Sequence, residues 1–341
     1  MRKHVFHFME KTTMPLPTWH TLEQRALALS AIRAFFNRIG YLEIETRSMR
    51  NTTASDPYIE SFRTFWNGEE KPYFLQTSPE YAHKILLSHH RHPIYEIARV
   101  FRNEPHGLLH RREFTLVEWY HPEYGYRDMM DETEGLIHQV SKALGTEYWH
   151  SNARESCRPI SVDMPFERLS VRDAFIRYAG FSPIGMEKPE LVSAALKAGC
   201  RVSADWSWND IMNCVLVDCV EPHLGMERPT FLIDYPASMA SLAAVRHDND
   251  GDVAERFELY ICGIELCNGY SELNDADELK RRFDEDNAER ERLGLMRVPD
   301  DEALLAALPK LGVLGGNALG FERLLMLCLD LDDMNASMIE V

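Results

Sequence analysis

The chain lacks three patterns that would each fix a class of function. It has no GxxxxGK[ST] stretch, which excludes a P-loop for a bound triphosphate. Its seven cysteines form no CxxC pair, and the two CxxxxC pairs lack the second pair of a zinc site, so we expect reduced thiols in a cytoplasmic protein. It has neither an apolar run of about 18 residues nor an apolar segment at its charged N-terminus. These absences predict a soluble protein with no membrane partner and no export signal.

Basic residues are few compared with acidic ones. The 341 residues include 37 Lys and Arg against 54 Asp and Glu, which gives a net charge of −17 at pH 7. This balance repels a polyanion and attracts a basic partner, so it argues against a protein that coats tRNA. Hydrophobic residues make up 45% of the chain, enough for a substantial core in one large or two modest domains.

Helix and strand signals follow an N-terminal arm, residues 1–20. Thr21 and Gln24 match a capping box for a first helix that Gly40 ends. Residues 145–230 contain no repeat and predict an insertion with helices that flank a sheet. Hairpins and strands dominate the middle of the chain, which favours an α+β fold with an antiparallel sheet flanked by helices. Further elements are predicted as strands at 41–46, 71–77 and 231–236, a hairpin at 253–266, and helices beginning at Pro79, near 274 and at Phe321.

Two strand-like segments, 93–104 and 113–120, carry side chains that suit a nucleotide. Strand periodicity places Arg102 and Glu104 on one face of the first segment. Arg102 can bind an α-phosphate through its planar fork, Glu104 can accept from an exocyclic amine, and Phe114 can stack on a purine. An ordinary structural ion pair between Arg102 and Glu104 is the alternative. The second segment aligns four side chains towards one cavity: Phe114, Leu116, Glu118 and Tyr120.

A pair of carboxylates suits magnesium. If Cys262 and Gly263 form a two-residue hairpin turn, Tyr260 lies opposite Glu265, and Glu258 lies on the same face. Mg²⁺ is commonly held by one or two carboxylates together with phosphate oxygens. The alternative is a solvated sheet face.

Arg323 lies in the first turn of the last predicted helix. A cation there opposes the helix dipole unless an anion is close, so a bound phosphate would explain its position. An exposed arginine at a helix start is the alternative. Three nearby glycines would let a ligand approach the backbone closely: Gly315, Gly316 and Gly320.

Five stretches taken together resemble the class II aminoacyl-tRNA synthetases, and lysyl-tRNA synthetase most of all. The resemblance covers roughly residues 20 to 340. About 20 residues precede the first helix, too few for the anticodon-binding barrel of lysyl-tRNA synthetases, so we expect a catalytic domain alone, residues 21–341. That organisation is similar to the elongation factor P lysyltransferase family. The five stretches are TSPE (77–80), FRNE (101–104), HRREF (110–114), RFELYICGIELCNGYSEL (256–273) and GNALGFERL (316–324).

The resemblance implies an ATP-dependent ligase that uses Mg²⁺. It would activate (R)-β-lysine or lysine as an adenylate and transfer it to a lysine ε-amine on elongation factor P, as a homodimer without tRNA. The resemblance implies catalytic roles for Arg102 and Arg323 and metal binding by Glu258 and Glu265. The implied amino-acid pocket is Ser78, Pro79, Glu80, Tyr120, Glu265, Glu272 and Ala318. The implied ATP site is Arg102, Asn103, Glu104, His110, Arg111, Phe114, Glu258, Leu259, Gly320 and Arg323.

One residue separates the two similar families, and three positions depart from the family pattern. Ala318 stands where lysyl-tRNA synthetases have glycine and the lysyltransferases have alanine. Arg47 replaces a proline of the dimer motif, Arg111-Arg112 replaces an Asn-Pro pair, and Glu322 replaces an aspartate. The alternatives are a truncated lysyl-tRNA synthetase that acts on tRNA, an inactive synthetase-like binding protein, and an ammonia-dependent asparagine synthetase.

Overall fold

The computed structural model describes residues 16–151 and 157–339, so most of the predicted arm, 1–20, lies outside the described residues. The described helices are α1 (Trp19–Arg38), α2 (Glu80–Leu87), α3 (Tyr126–Leu144), α4 (Val171–Tyr178), α5 (Lys188–Lys197), α6 (Trp208–Val215), α7 (Ala276–Arg292), α8 (Glu302–Ala307) and α9 (Phe321–Leu329). The described strands are β1 (Leu42–Glu43), β2 (Met49–Arg50), β3 (Arg63–Thr64), β4 (Tyr73–Leu75), β5 (Ile94–Phe101), β6 (Glu113–Pro122), β7 (Tyr148–Trp149), β8 (Ile160–Ser161), β9 (Glu167–Ser170), β10 (Thr230–Pro236), β11 (Val245–Asp248), β12 (Gly251–Ile261), β13 (Ile264–Ser271) and β14 (Leu314–Gly320).

A nine-stranded sheet organises the described chain. Its order is β1-β5-β6-β14-β13-β12-β10-β9, and β11 pairs with β12 on the edge opposite β10, which β13 also uses. The neighbours from β5 to β10 are antiparallel, and only the outer pairs β1–β5 and β9–β10 are parallel. The predicted α+β fold with an antiparallel sheet is therefore confirmed.

One face of this sheet is covered by helices. Along β6 the side chains alternate, so Val117 and Trp119 are fully buried against α1, α3 and α9 while Glu118 and Tyr120 face the other way. Burying a large apolar side chain contributes about 1.5–3 kcal/mol, so this layer holds the sheet in place. The opposite face is covered by a second group of helices at β10 and is open along β6, β13 and β14, where it can form the floor of a site.

The first helix begins earlier than its sequence predicts. Thr18, not Thr21, is the N-cap, and its Oγ1 accepts a hydrogen bond from N of Thr21 at 3.0 Å. The capping box at Thr21 and Gln24 is wrong because Thr18 follows Pro17 in an extended conformation, which suits the residue before a helix. Gly40 adopts a φ of +86° just after the helix and ends it as predicted.

The two predicted edge strands are shorter than expected. In 41–46 only Leu42 and Glu43 pair with β5, because N of Thr46 donates to the side chain of Glu96 at 3.0 Å and leaves the ladder. In 71–77 only Tyr73–Leu75 is a strand. Four further predictions are confirmed: the strand 231–236, the hairpin 253–266, and the helices near 274 and at Phe321. Their ends agree to within two residues, except that the second strand of the hairpin, β13, continues to Ser271.

Residues 157–224 contribute a second, smaller core. Helices α4, α5 and α6, and a π-helix (Leu216–Val220) that continues α6, pack against β10 and β12. Flanking helices are thus present where the sequence predicts them, and the domain boundary itself stays a prediction. None of the described helices is long and apolar enough to cross a membrane.

Candidate active site

A cavity of about 1120 Å³ lies on the sheet face that α1, α3 and α9 leave uncovered. Strands β6, β12, β13 and β14 form its floor, and the first turn of α2 and one side of α7, from Glu278 to Glu289, contribute to its walls. Its volume exceeds the roughly 300–1,000 Å³ of a pocket for one small ligand. It brings together most of the predicted site residues: Ser78, Glu80, Arg102, Glu104, His110, Arg111, Phe114, Tyr120, Glu258, Glu265, Glu272, Ala318, Gly320 and Arg323.

Three predicted site residues do not line this cavity. Pro79 is the N-cap of α2 and aims the helix that carries Glu80. Asn103 lies at the margin, where its side-chain amide donates to Oε2 of Glu60 at 3.0 Å. Leu259 is fully buried in the core on the other side of the sheet. Because side chains alternate along β12, only the main chain of Leu259 is accessible to a nucleotide. ATP binding by Leu259 stays a prediction, and it concerns the main chain only.

The predicted turn of the β12–β13 hairpin is confirmed. Cys262 and Gly263 have φ angles of +53° and +67°. Two successive positive φ angles are typical of a type I′ turn, which matches the twist of the flanking strands. The turn pairs Tyr260 with Glu265 as predicted, and it directs Glu265 towards Glu258 at the cavity floor.

A β-bulge follows directly in β13. Leu259 pairs with Cys267, which leaves Leu266 without a partner in the ladder. In a regular strand Glu265 and Glu272, an odd number of residues apart, would point to opposite faces of the sheet. The extra residue reverses that parity, so both carboxylates line the same cavity.

The strand that leads to Arg102 ends sooner than predicted. β5 stops at Phe101, and N of Glu104 donates to O of Arg102 at 2.9 Å in a tight turn. The prediction of a strand through Glu104 is therefore wrong at its end, although Arg102 and Glu104 both line the cavity. Across the described residues no ion pair joins the two, so the alternative of a structural ion pair is also wrong.

Arg102, His110 and Arg323 form what we call the cationic end of the cavity. The guanidinium of Arg102 lies 5.1 Å from the ring centre of Phe114, and Nη1 of Arg323 donates to the main-chain oxygen of Glu265 at 2.8 Å. Burial and the charge of Arg323 lower the pKa of His110, so a neutral imidazole accepts from Nη2 of Arg323 at 3.3 Å. Within the described chain Arg102 makes no ion pair, and this leaves cationic charge for a phosphate.

Glu80, Glu118 and Glu272 form the acidic end. The ammonium of Lys84, which is 1% exposed, lies 2.6 Å from Oε1 of Glu80 and 2.6 Å from Oε2 of Glu272. Burial alone would lower the pKa of Lys84, but the two carboxylates outweigh it and raise that pKa. Oε1 of Glu272 is buried and has no hydrogen-bond partner among the described residues. One internal ammonium thus faces three carboxylates, which leaves this end ready for another cation.

Two of these carboxyls, Glu118 and Glu272, are sensitive to protons near neutral pH, because burial raises the pKa of each to about 8. The two oxygens of Glu118 accept from Oγ of Ser78 and from the hydroxyl of Tyr120, each at 2.8 Å. Burial, together with repulsion from Glu80, nevertheless raises the pKa of Glu118 to about 8. A cationic ligand beside this carboxyl would favour its charged form, so ligand binding and proton release are coupled here.

Glu258 and Glu265 provide a donor set that fits a divalent cation. Oε2 of Glu258 accepts from the hydroxyls of Tyr235 and Tyr260, both at 2.7 Å, and Oε1 accepts from Nη2 of Arg256 at 2.5 Å. Burial and the charge of Glu258 raise the pKa of Glu265. A cation between the two would oppose that repulsion, and Glu265, whose side chain is 40% exposed, offers the freer oxygens.

The comparison with known families decides what kind of cavity this is. The family model of the class II tRNA synthetases (D, K and N) matches residues 17–338 of the chain. The chain belongs to this family. Membership implies that this class II synthetase fold uses ATP, and it confirms the resemblance seen in the sequence motifs.

Curated relatives narrow the resemblance within the class II synthetases. The chain is 39% identical to the elongation factor P–(R)-β-lysine ligase of Edwardsiella ictaluri over 321 residues, 92% of each chain. It is 38% identical to the ligase of the same name from Pectobacterium carotovorum over 339 residues, 96% of this chain and 97% of the relative. The ligase of that name from Proteus mirabilis is 38% identical over 318 residues. The predicted likeness to the elongation factor P lysyltransferase family is thus confirmed.

Two departures from the class II pattern have structural roles. Glu322 is fully buried, where it accepts from N of Thr115 and pairs with Arg25 at 2.8 Å, so it joins β6 and α1 to α9. The guanidinium of Arg111 donates to the side chain of Asn335 and to the main chain of its own loop. Arg111 therefore lines the cavity while its charged group holds the C-terminal segment.

Three residues of this synthetase cavity were missed as site residues by sequence reasoning. Lys84 follows Glu80 by one helical turn, and this i,i+4 spacing was a usable signal. Glu118 was placed on the correct face but given no role. Gly316 was noted only as a glycine that lets a ligand approach the backbone; what the sequence does not show is that a Cβ there would collide with Oε1 of Glu272.

Proposed function

We propose that the chain is an ATP-dependent ligase that activates (R)-β-lysine as an adenylate and transfers it to the ε-amine of a lysine on elongation factor P. The observation that carries the proposal is the buried, unpartnered oxygen of Glu272 in the acidic end, within the described chain. The cationic end lies in the same cavity, where a phosphate can bind next to an amine-binding site. The relatives are named elongation factor P–(R)-β-lysine ligases, which supports this choice of substrate and acceptor.

The charges of (R)-β-lysine match the cavity. The molecule carries two ammonium groups and one carboxylate, and the acidic end has three carboxylates for one internal ammonium. Glu272 and Glu118 would receive the ammonium groups, and the carboxylate would point towards Arg102. Ala318 lies opposite Glu118 on the neighbouring strand, and its methyl group narrows the pocket. One methyl is worth about 1–3 kcal/mol of discrimination, here in favour of the β-amine over the α-amine.

In the first step the enzyme positions two substrates. The purine of ATP lies against Phe114, and the α-phosphate lies between Arg102 and Arg323. A carboxylate oxygen of (R)-β-lysine attacks the α-phosphorus, the bond to the bridging oxygen breaks, and pyrophosphate leaves with the electron pair. The two guanidinium groups stabilise the charge that builds up on the transferring phosphate. No side chain acts as a nucleophile, and positioning can supply about 7–11 kcal/mol.

In the second step the neutral ε-amine of the acceptor lysine attacks the carbonyl carbon of the adenylate. The carbon–oxygen bond to AMP breaks, AMP leaves with the electron pair, and the amine releases one proton as the amide forms. Glu258 and Glu265 would hold Mg²⁺, which when bound neutralises charge on the triphosphate.

The acidic charge around the mouth of the cavity favours a protein acceptor over tRNA. A basic loop would be attracted to this rim and tRNA repelled by it. We further propose a cytoplasmic homodimer built on the segment that contains Arg47, which is exposed in the described chain. The acidic residues at the rim include Asp56, Asp252, Glu278, Glu285 and Glu289.

The test is amino-acid-dependent exchange of pyrophosphate into ATP, followed by transfer to purified elongation factor P. We expect exchange with (R)-β-lysine that exceeds exchange with lysine, and a mass increase on elongation factor P that requires ATP. Charging of lysine-accepting tRNA in place of elongation factor P would favour a tRNA synthetase. Absence of exchange with either amino acid would overturn the proposal.

A further inference from the structure

Three thiols and a carboxylate lie together near the ends of α5 and α6. Cys200 follows α5, Cys214 lies in α6, and Asp218 and Cys219 lie in the π-helix. The donor atoms of Cys200, Cys214 and Asp218 are all within 4.8 Å of one another, and Sγ of Cys219 lies 3.4 Å from Sγ of Cys200. The cluster is separate from the cavity, since none of these four residues is among the described residues that line it.

The π-helix explains how residues of one helix come to share the cluster. Residues four apart lie on one face of an α-helix, which brings Cys214 next to Asp218. In a π-turn the hydrogen bonds join residues five apart, and Cys219 follows Cys214 by five. The widened turn therefore directs Cys219 towards Cys200, across from α6. π-turns are uncommon and occur frequently at functional sites.

The spacing of the donor atoms matches tetrahedral zinc. Zn–S and Zn–O bonds of about 2.3 and 2.0 Å require S···S and S···O separations of about 3.8 and 3.5 Å in a tetrahedron. Sγ of Cys214 lies 3.5 Å from Oδ2 of Asp218, and Sγ of Cys200 lies 3.4 Å from Sγ of Cys219. Sγ of Cys219 is not among the donor atoms that lie within 4.8 Å of one another, so its side chain must turn towards Cys214 and Asp218 to become the fourth donor, and the Cys200–Cys219 separation must widen by a few tenths of an ångström.

A redox role fits the same atoms less well. A disulfide requires sulfurs at about 2.0 Å, so Cys200 and Cys219 would have to move together by more than 1 Å. A bound zinc ion, by contrast, needs these two sulfurs at about 3.8 Å, which is close to their present separation of 3.4 Å.

We propose that Cys200, Cys214, Cys219 and Asp218 form a structural Zn²⁺ site that joins the end of α5 to α6 and the π-helix. A closed set of three sulfurs and one oxygen suits a structural zinc ion. The sequence argument against zinc considered only pairs of neighbouring cysteines, whereas in this proposal the third thiol comes from the loop after α5.

The site is tested on the full-length protein purified under reducing conditions. Elemental analysis by mass spectrometry should find about one zinc per chain. After removal of zinc with a chelator, titration with Co²⁺ should give strong thiolate-to-cobalt absorption in the near ultraviolet and the visible bands of a tetrahedral ion. Neither readout depends on the ligase activity, so failure here leaves the proposed function untouched.

Variants separate binding by this cluster from adventitious metal. Cys214→Ser and Asp218→Asn should each weaken zinc binding by about 100-fold or more. The loss of a residue that only hydrogen-bonds to a metal ligand already costs about 10–100-fold in metal affinity. Asp218 is exposed, so its replacement does not disturb a core. Asp205→Asn, another exposed aspartate, and Cys328→Ala, in the main core, should bind as the wild type does. Zinc-free protein with no cobalt spectrum, equal binding by all variants, or a Cys200–Cys219 disulfide in the reduced preparation would each overturn the site.

Discussion

The two ends of the cavity are built in opposite ways. At the acidic end the carboxylates of Glu80 and Glu272 have a partner inside the chain, the buried ammonium of Lys84. At the cationic end Arg102 makes no ion pair in the described chain, and Nη1 of Arg323 lies 2.8 Å from the main-chain oxygen and 3.3 Å from Oε2 of the partly exposed Glu265. The acidic end is therefore largely neutralised before a ligand arrives, whereas the cationic end keeps its charge for the ligand.

This difference teaches which end selects and which end drives the chemistry. A partly neutralised acidic pocket discriminates by the position of one further ammonium, because only a few oxygens, such as Oε1 of Glu272, remain free. Guanidinium groups without strong partners act on any phosphate and act most on the one that gains charge in the transition state. Changes at the cationic end should affect the rate, and changes at the acidic end should affect the affinity for the amino acid.

The largest expected effect is at the cationic end. Arg102→Ala or Arg323→Ala should lower the rate of ATP–pyrophosphate exchange by about 10²–10³-fold, because each removes charge stabilisation from the transferring phosphate. Arg99→Ala is the matched control, since Arg99 is exposed on β5 and does not line the cavity. Equal losses in all three variants would show that the effect is not specific to the cationic end.

At the acidic end, Glu272→Gln should raise the KM for (R)-β-lysine by about 10–150-fold, the value of a hydrogen bond to a charged group. The KM for ATP should change little, because Glu272 lies away from the cationic end. Initial rates at varied amino acid and varied ATP measure the two constants. Glu302→Gln, at an exposed position on α8, serves as the control. A rise confined to the KM for ATP would break the division between the two ends.

The dependence on pH should be smaller. Below its raised pKa of about 8, Glu118 is protonated in the free enzyme, and an ammonium prefers the carboxylate. The KM for (R)-β-lysine should therefore fall as pH rises through that value, by at most about tenfold per pH unit. In Glu118→Gln the KM should be higher and should depend less steeply on pH, because Glu272, whose pKa is also raised to about 8, still titrates over the same range. The stability of the folded enzyme without ligand changes in the opposite direction. It decreases as pH rises from the ordinary pKa of a glutamate towards the raised pKa of Glu118, because over this range the folded state binds more protons than the unfolded state.

The smallest expected effect concerns the acceptor. If the acidic rim attracts elongation factor P, the association rate should fall a few-fold as salt is raised from low to physiological concentration. Stopped-flow association at several salt concentrations measures this. A rate that does not change with salt would mean that the charge around the cavity plays no part in recognition.

Much of the cavity could be predicted because its signals are local. The alternation in β6 and the Cys262-Gly263 turn depend on neighbouring residues only, and both are confirmed. The shared face of Glu265 and Glu272 is different, because it requires the bulge at Leu266. A strict period of two would have separated the two carboxylates, and it was the family motif that placed both at the site.

Tertiary contacts account for what sequence reasoning missed. Glu322 looked like a departure that put activity in doubt, yet its extra length is used to reach Arg25 and Thr115 in the interior. The early end of β5 at Phe101 depends on the loop that turns there. The grouping of Cys214, Asp218 and Cys219 near Cys200 depends on a π-turn, which cannot be predicted from an α-helical period. In each case the deciding contact joins residues far apart in the chain or an irregular turn.

Lys84 resembles the substrate that its surroundings are built to receive, since it is an alkyl ammonium on a four-carbon stem. Being tethered, it occupies its place at any concentration, and it keeps mutually repelling acids together when no amino acid is present. The work of assembling this corner of the enzyme is thus completed during folding. The incoming diamine therefore binds to a site that is already formed, and its ammonium groups neutralise the carboxylate charge that Lys84 leaves uncompensated.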